Sequence, residues 1–166
     1  MNVATALWPN ETDAFFRGRG LHSRVQEGAT CVATSLAIVS GCEPAEFRDV
    51  NTQNPVEWSD ALRRFGMKLA YLPTDIRPVK FYIDELLRYD DLFVIGFYSN
   101  RDGREAILRT LDENGWLCAS HMVVLHRDQI YDPARGTNVE ARLYDRLDSH
   151  TKRIFRVVPA DHPRGL

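Results

Sequence analysis

One run of the sequence, CVATSLAIVSG, is apolar or small at nearly every position and constrains the fold most strongly. It predicts a helix from Cys31 to about Ser40, with Thr30 as the N-cap and Gly41 as the stop. A helix that is apolar nearly all round must be buried. The chain has 166 residues and 44% hydrophobic content, which is enough to bury this helix in the core of one domain.

Helices are predicted mainly in the first half of the chain and strands in the second. Further helices are predicted in EPAEFRDV, NPVEWSDALRRFG, RPVKFYIDELLRYD and residues 139–147. Strands are predicted in MKLAYL, DLFVIGFYS, EAILRTLD, WLCASHMVVLH, QIYDP and RIFRVVP. This order is typical of an α+β fold with a mainly antiparallel sheet. We predict a single domain over residues 1–166, with a loop-rich lead-in at 1–25 and a tail at 159–166.

Charge and cysteine content exclude several kinds of partner and compartment. The net charge of −2 predicts no electrostatic binding to nucleic acid or to an anionic membrane. No segment approaches the ~20 apolar residues that span a bilayer, and no signal peptide is visible. Three cysteines cannot all pair within one chain, so we predict reduced thiols in the cytoplasm. A protein exported without a cleaved signal peptide would look the same, and no pattern indicates an oligomeric state.

Cys31 lies at the first turn of the predicted helix, where a thiol is most readily activated. The start of a helix carries partial positive charge and free N–H groups. Both favour the thiolate, which is the reactive form of cysteine. The alternative interpretation is a small buried hydrophobe, which is the usual role of a free cysteine.

His121 begins the apolar strand HMVVLH, and the hairpin that follows predicts a partner for it. A two-residue turn at 127–128 would make Asp132 the diagonal neighbour of His121 on the same face of the sheet. A carboxylate there would hold the imidazole in one tautomer and favour its charged form. One extra turn residue would put the two side chains on opposite faces. His126 is five positions from His121 and is predicted to face away.

Gln26 lies five residues before Cys31, on the loop that enters the predicted helix. Its side-chain amide could direct an N–H group at the same point as the backbone N–H of Cys31. Two such donors make an oxyanion hole. A nucleophile, a base and an orienting acid are the minimum for acyl transfer by a thiol, so the interpretation of Gln26 depends on these other residues.

The segments QEGATCVATSLAIVSG and HMVVLHRDQIYDP resemble the papain-like cysteine peptidases, and most closely the bacterial branch that trims leader peptides from bacteriocins. The resemblance implies that Cys31 is the nucleophile and His121 the base. It further implies Asp132 as the orienting acid and Gln26 as the oxyanion donor. The resemblance also implies a papain-like fold in which the nucleophile helix packs on the sheet. It implies a peptide or protein amide as the substrate and no cofactor. Two features differ from that group. Val32 directly follows the cysteine, and the spacing between Gln26 and Cys31 is shorter.

Two other classes of function compete with this interpretation. A metal site could use Cys118 and His121, joined by His126 and Cys42. However, residues three positions apart on one strand point to opposite faces. The sequence also has no CxxC or HxxxH pair that would supply further ligands, so we predict no metal. A catalytically silent binding module is the second, because one fold serves many roles. Among enzymes, glutamine deamidation and acyl transfer stay open beside hydrolysis.

Overall fold

This computed structural model describes residues 14–98 and 120–166, which contain three α-helices and six strands. The helices are α1 (Cys31–Ser40), α2 (Pro55–Arg63) and α3 (Lys80–Tyr89). The strands are β1 (Met67–Leu72), β2 (Leu92–Tyr98), β3 (Ser120–His126), β4 (Gln129–Asp132), β5 (Thr137–Glu140) and β6 (Thr151–Pro159). None of the helices in these ranges is long and apolar enough to cross a membrane.

The strands form one antiparallel sheet in the order β1-β6-β2-β3-β4-β5. Helices α1 and α2 pack on one face of the sheet, and α3 packs on the other. On β3, Met122 and Val124 point towards the α1 face while Val123 and Leu125 point towards the α3 face. Both faces of the central strands are therefore buried, which explains their continuous apolar runs. The predicted α+β fold with a mainly antiparallel sheet is confirmed.

Helix α1 has the predicted bounds and is attached directly to β3. The Ser35 hydroxyl donates to the Met122 carbonyl at 3.3 Å. Gly41 ends the helix in the left-handed conformation, with φ of 80°, which glycine adopts without steric penalty. Thr30 stands at the N-cap position, but its hydroxyl donates to the Glu27 carbonyl at 2.9 Å and does not cap the helix. The helix start is therefore fixed by its own entry loop.

Two of the predicted helices are not α-helices in the structure. EPAEFRDV holds only a 3-10 turn over Pro44–Phe47. Residues 139–147 contain the end of β5, a 3-10 turn at Ala141–Leu143 and further turns. The reason is the pairing of β5 with β4, which extends from Asp132↔Thr137 to Gln129↔Glu140 and occupies backbone groups that a helix would need. The strand predicted in EAILRTLD and the first residues of WLCASHMVVLH lie outside the described residues.

A buried ion pair fastens the lead-in to the sheet. Arg156 on β6 and Asp91 are both fully buried, with 2.8 Å between the guanidinium and the carboxylate. Asp91 also accepts the backbone N–H groups of Phe15 and Phe16 at 2.9 and 2.7 Å. The Arg156 guanidinium lies over the rings of Phe15 and Tyr89. Because water does not reach either charge, each depends on the other for its stabilisation.

We expect Asp91→Ala to lower the free energy of unfolding by about 3–5 kcal/mol, because it removes the carboxylate that faces the buried Arg156 charge. Denaturant unfolding of the variant and the parent protein measures the difference. Asp60→Ala is the matched control, since Asp60 forms an exposed pair with Arg63 and should contribute at most about 1 kcal/mol. Equal losses in the two variants would contradict a special role for the buried pair.

Candidate active site

A small pocket with a volume of about 30 Å³ opens at the start of α1. Cys31 forms one wall, and Gly96 of β2, His121 of β3 and Lys152 of β6 are among the other residues that line it. Cys31 is partly exposed, so its thiol is accessible from outside the core. The N–H groups of a first helical turn have no partners within the helix. The pocket therefore combines a thiol with free backbone donors.

The imidazole of His121 lies beside Cys31 in the same pocket, close enough for an electrostatic interaction with its sulfur. The ring is packed edge-on against Phe97, with 5.6 Å between ring centroids, and Phe97 is its partner across the β2–β3 pair. Nε2 of His121 is occupied by Asp132, so Nδ1 is the ring nitrogen that remains for the sulfur. The structure thus brings the predicted nucleophile and base together.

Asp132 lies 2.7 Å from His121, measured from Oδ1 to Nε2. The contact follows from the register of the β3–β4 hairpin, in which His126 pairs with Gln129 around a two-residue turn. This is the register that the sequence predicts, and it makes Asp132 the diagonal neighbour of His121. Asp132 therefore holds the imidazole that lies beside Cys31.

The Asp132 carboxylate is buried, with only 4% of its side chain exposed, and is held by further donors. The Ala134 backbone N–H donates to Oδ1 at 2.9 Å, and the Tyr144 hydroxyl donates to Oδ2 at 2.7 Å. Arg135 Nε lies 3.8 Å from Oδ2. A buried carboxylate needs such partners to stay ionised. These contacts fix its position and, through it, the plane of the imidazole.

The hydrogen bonds of the site shift the pKa values of both partners. Burial disfavours the charged imidazole, but the bond to Asp132 and the interaction with Cys31 outweigh it and raise the pKa of His121 to about 9. Burial likewise disfavours the charged carboxylate, but the bonds from His121 and Tyr144 lower the pKa of Asp132 to about 2. Burial and the Asp132 charge raise the pKa of Tyr144, which stays a donor. At neutral pH the ring is an imidazolium, the charge state that stabilises a neighbouring thiolate.

Gln26 lies on the loop before α1, but its amide faces that loop. Its backbone N–H donates to the Pro133 carbonyl at 2.8 Å, which places it next to the end of β4. Its side-chain Nε2 donates to the Gly28 carbonyl at 2.8 Å. Within the described part of the chain, its Oε1 is buried without a hydrogen-bond partner and Gln26 makes no hydrogen bond to Cys31 or His121. One amide hydrogen is thus used locally, and the oxyanion role stays a prediction.

Two residues that support the site, Tyr144 and Phe97, have no signal in the sequence. Tyr144 holds Asp132, yet it falls in the segment that was predicted as a helix. Phe97 packs between His121 and Tyr144, with 6.4 Å between its centroid and that of the Tyr144 ring. No local pattern distinguishes either residue from an ordinary core aromatic, because strand pairing brings both to the site: β2 with β3 for Phe97, and β4 with β5 for Tyr144.

No three histidine, cysteine, aspartate or glutamate side chains among residues 14–98 and 120–166 are arranged to hold a metal ion. Cys118, which the metal alternative requires, lies outside the described residues. His126 is five positions from His121 on β3, and its Nε2 lies 3.0 Å from the Phe16 carbonyl, so it serves the lead-in and not the pocket.

The fold has a counterpart among solved peptidase structures. The crystal structure of a double glycine motif protease from an AMS/PCAT transporter, in complex with the leader peptide, matches with a TM-score of 0.50 and 21% sequence identity. The match covers 86% of this chain and 96% of that chain. The chain has a papain-like fold. No family model and no curated protein sequence matches it.

We expect Asp132→Asn to lower the pKa of His121 from about 9 towards its ordinary value of 6.5, because the negative charge beside the imidazolium is lost. NMR titration of the imidazole nitrogens measures the shift. Asp128→Asn is the control, since it removes an exposed carboxylate from the same hairpin and should leave the His121 titration unchanged. The same pKa in the parent and Asp132→Asn proteins would contradict the proposed pairing.

We expect Asp132→Asn also to change how the free energy of unfolding depends on pH. A raised pKa stabilises the folded protein fully below about pH 6.5, and this contribution is lost as the pH rises through about 9. The lowered pKa of Asp132 stabilises the fold above about pH 3.8, and this is lost as the pH falls through about 2. The stability difference between parent and Asp132→Asn proteins should therefore be largest between about pH 4 and 6.5 and shrink towards pH 9.

Proposed function

We propose that this protein is a cysteine peptidase that hydrolyses a peptide or protein amide bond through a thioester. The observation that carries the proposal is the placement of Cys31, at the start of a buried helix, in one pocket with His121, whose imidazole is hydrogen-bonded to Asp132. A partly exposed thiol beside a positively charged imidazole is the usual setting of a nucleophilic cysteine. The likeness in fold to a protease crystallised with a leader peptide supports a peptide as the substrate.

The first chemical step forms the thioester. The Cys31 thiolate attacks the carbonyl carbon of the scissile amide, and a carbon–sulfur bond forms while the oxygen becomes an oxyanion. The backbone N–H of Cys31 and the amide of Gln26 donate to that oxyanion. The intermediate collapses with cleavage of the carbon–nitrogen bond, and the His121 imidazolium gives its proton to the leaving amine.

The second step releases the acid product. Neutral His121 takes a proton from a water molecule, whose oxygen attacks the thioester carbonyl. The carbon–sulfur bond then breaks, and Cys31 leaves as a thiolate paired with the imidazolium. Asp132 does not exchange protons in either step, because its pKa of about 2 keeps it ionised while it orients the ring.

A larger groove leads from the site along the side of α1. It has a volume of about 680 Å³, and Thr52 lines both this groove and the small pocket at Cys31. Phe47 and Ala33 contribute apolar surface, while Arg24 and Glu43 form an ion pair at its edge. An extended peptide with mixed side chains fits such a surface, and we infer that substrate lies here. The free thiols of Cys31 and Cys42 fit a reducing compartment, and we place the protein in the cytoplasm.

We expect iodoacetamide at neutral pH to alkylate Cys31 at least about tenfold faster than Cys42 and Cys118, because the imidazolium stabilises its thiolate. Peptide mapping by mass spectrometry measures the three rates. His121→Ala should slow labelling of Cys31 alone, and His22→Ala, at an exposed histidine, is the matched control. Equal and slow labelling of all three thiols would favour the catalytically silent binding module.

We expect Cys31→Ala to abolish turnover and leave the fold intact, since a small thiol at a helix start contributes at most ~1–2 kcal/mol to stability. A peptide-library cleavage screen, with circular dichroism as the folding check, measures both properties. Unchanged cleavage by Cys31→Ala would rule out the mechanism. Products that carry an added amine would identify an acyltransferase, and release of ammonia from glutamine side chains would identify a deamidase.

We expect Gln26→Ala to lower kcat by about 10²–10³-fold with little change in KM, because an oxyanion donor acts mainly in the transition state. Steady-state kinetics on a peptide from the library screen measures the two constants. Gln129→Ala on β4 is the control and should retain the parent kcat. A parent-like kcat for Gln26→Ala would limit its role to shaping the entry loop.

A further inference from the structure

Strand β6 carries one extra residue beside the candidate active site. In the β2–β6 ladder, Gly96 pairs with Arg153 and Phe97 pairs with Thr151, so Lys152 is the inserted residue of a β-bulge. Neighbouring residues of a regular strand point to opposite faces, and a bulge breaks this alternation. The bulge explains why the consecutive residues Lys152 and Arg153 both line the pocket that contains Cys31.

Within residues 14–98 and 120–166, neither Lys152 nor Arg153 forms an ion pair with a carboxylate. Lys152 Nζ has the Ser120 hydroxyl as a neighbour at 3.4 Å. The Arg153 guanidinium lies over the Trp58 ring at 5.6 Å from its centroid. By contrast, Lys80 on α3 is paired with a carboxylate at 2.9 Å. The bulge therefore directs two positive charges into one pocket without an ion-pair partner there.

The position of Lys152 is unfavourable for an isolated charge. Burial lowers the pKa of Lys152 and the neighbouring Arg153 lowers it further, while interaction with Cys31 opposes both effects. A partly buried cation next to another cation gains free energy when an anion binds between them. The pocket volume of about 30 Å³ admits a group the size of a carboxylate but not an aromatic ring.

We propose that Lys152 and Arg153 form a carboxylate-binding subsite beside the nucleophile, which selects substrates with an acidic group next to the scissile bond. The inference rests on the proposed peptidase function, since it assigns the specificity of that same site. Guanidinium and ammonium groups both form charge-assisted hydrogen bonds to carboxylates. The carboxylate is supplied either by an acidic side chain or by the C-terminus of the substrate.

The test compares two reagents of nearly equal size, anionic iodoacetate and neutral iodoacetamide. The ratio of their alkylation rates at Cys31 should exceed the ratio at Cys42 by about tenfold, because the subsite attracts the carboxylate. Lys152→Met should bring the Cys31 ratio close to that of Cys42, whereas Lys152→Arg, which keeps the charge, should retain it. Lys80→Met is the matched control for loss of a lysine charge, and circular dichroism checks that each variant folds.

The alkylation rates at Cys31 and Cys42 test the subsite and the proposed function separately. If iodoacetamide labels Cys31 no faster than Cys42, the proposed function fails. If iodoacetamide labels Cys31 rapidly but its iodoacetate ratio equals that of Cys42, the subsite alone is overturned. A slower reaction of Lys152→Met with both reagents and an unchanged ratio would also overturn it, because the lysine would then act only on the thiolate.

Protection of Cys31 from iodoacetamide distinguishes the two sources of the carboxylate. Three acetylated Gly-X dipeptides serve as competitors: X is glutamate with an amidated C-terminus, glutamine with a free C-terminus, or glutamine with an amidated C-terminus. Protection by the first assigns the subsite to acidic side chains, and protection by the second assigns it to the substrate's C-terminus. Equal protection by all three, or by none, would overturn the proposal. Loss of protection in Lys152→Met would support it.

Discussion

The hydrogen bond between Asp132 and His121 is the interaction on which the rest of the site depends. Because the Asp132 carboxylate is buried, it stays ionised only while donors surround it, and the Ala134 N–H and the Tyr144 hydroxyl complete that set. The ionised carboxylate in turn favours the charged imidazole and holds it by Nε2, which leaves the second ring nitrogen free for Cys31. Because His121 and Asp132 shift each other's pKa, removing either one changes the protonation of the other.

The fold holds these groups in place through contacts made far from the pocket. Helix α1 is fixed to β3 by its buried face and by the Ser35 bond to the Met122 carbonyl, so the helix that carries the cysteine packs directly on the strand that carries the histidine. The lead-in is held by the buried pair of Asp91 and Arg156 at one end. Further along, the backbone of Gln26 bonds to Pro133, directly after Asp132. The entry loop and the orienting acid are thus tied to each other.

Local signals predicted the parts of the site that depend on neighbours in sequence. The bounds of α1 follow from its apolar run and Gly41, and the His121–Asp132 contact follows from the two-residue turn. The role of Tyr144 and the bulge at Lys152 were not predictable in this way. Tyr144 reaches Asp132 only because β5 pairs with β4, which overrides the helical pattern of residues 139–147. The bulge is fixed by pairing of β6 with β2, more than fifty residues away in sequence.

The pocket contains features that stability alone does not explain. A partly buried lysine without a carboxylate partner in residues 14–98 or 120–166 lowers stability, and so does a buried amide oxygen such as that of Gln26 without a donor. Elsewhere, the buried charges of Asp91 and Arg156 are paired. Lys152 lies beside Cys31, and Gln26 lies on the loop that leads into the helix, so a bound ligand could complete the interactions of both groups. In a site that acts on a ligand, part of the interaction free energy of such groups is realised only on binding.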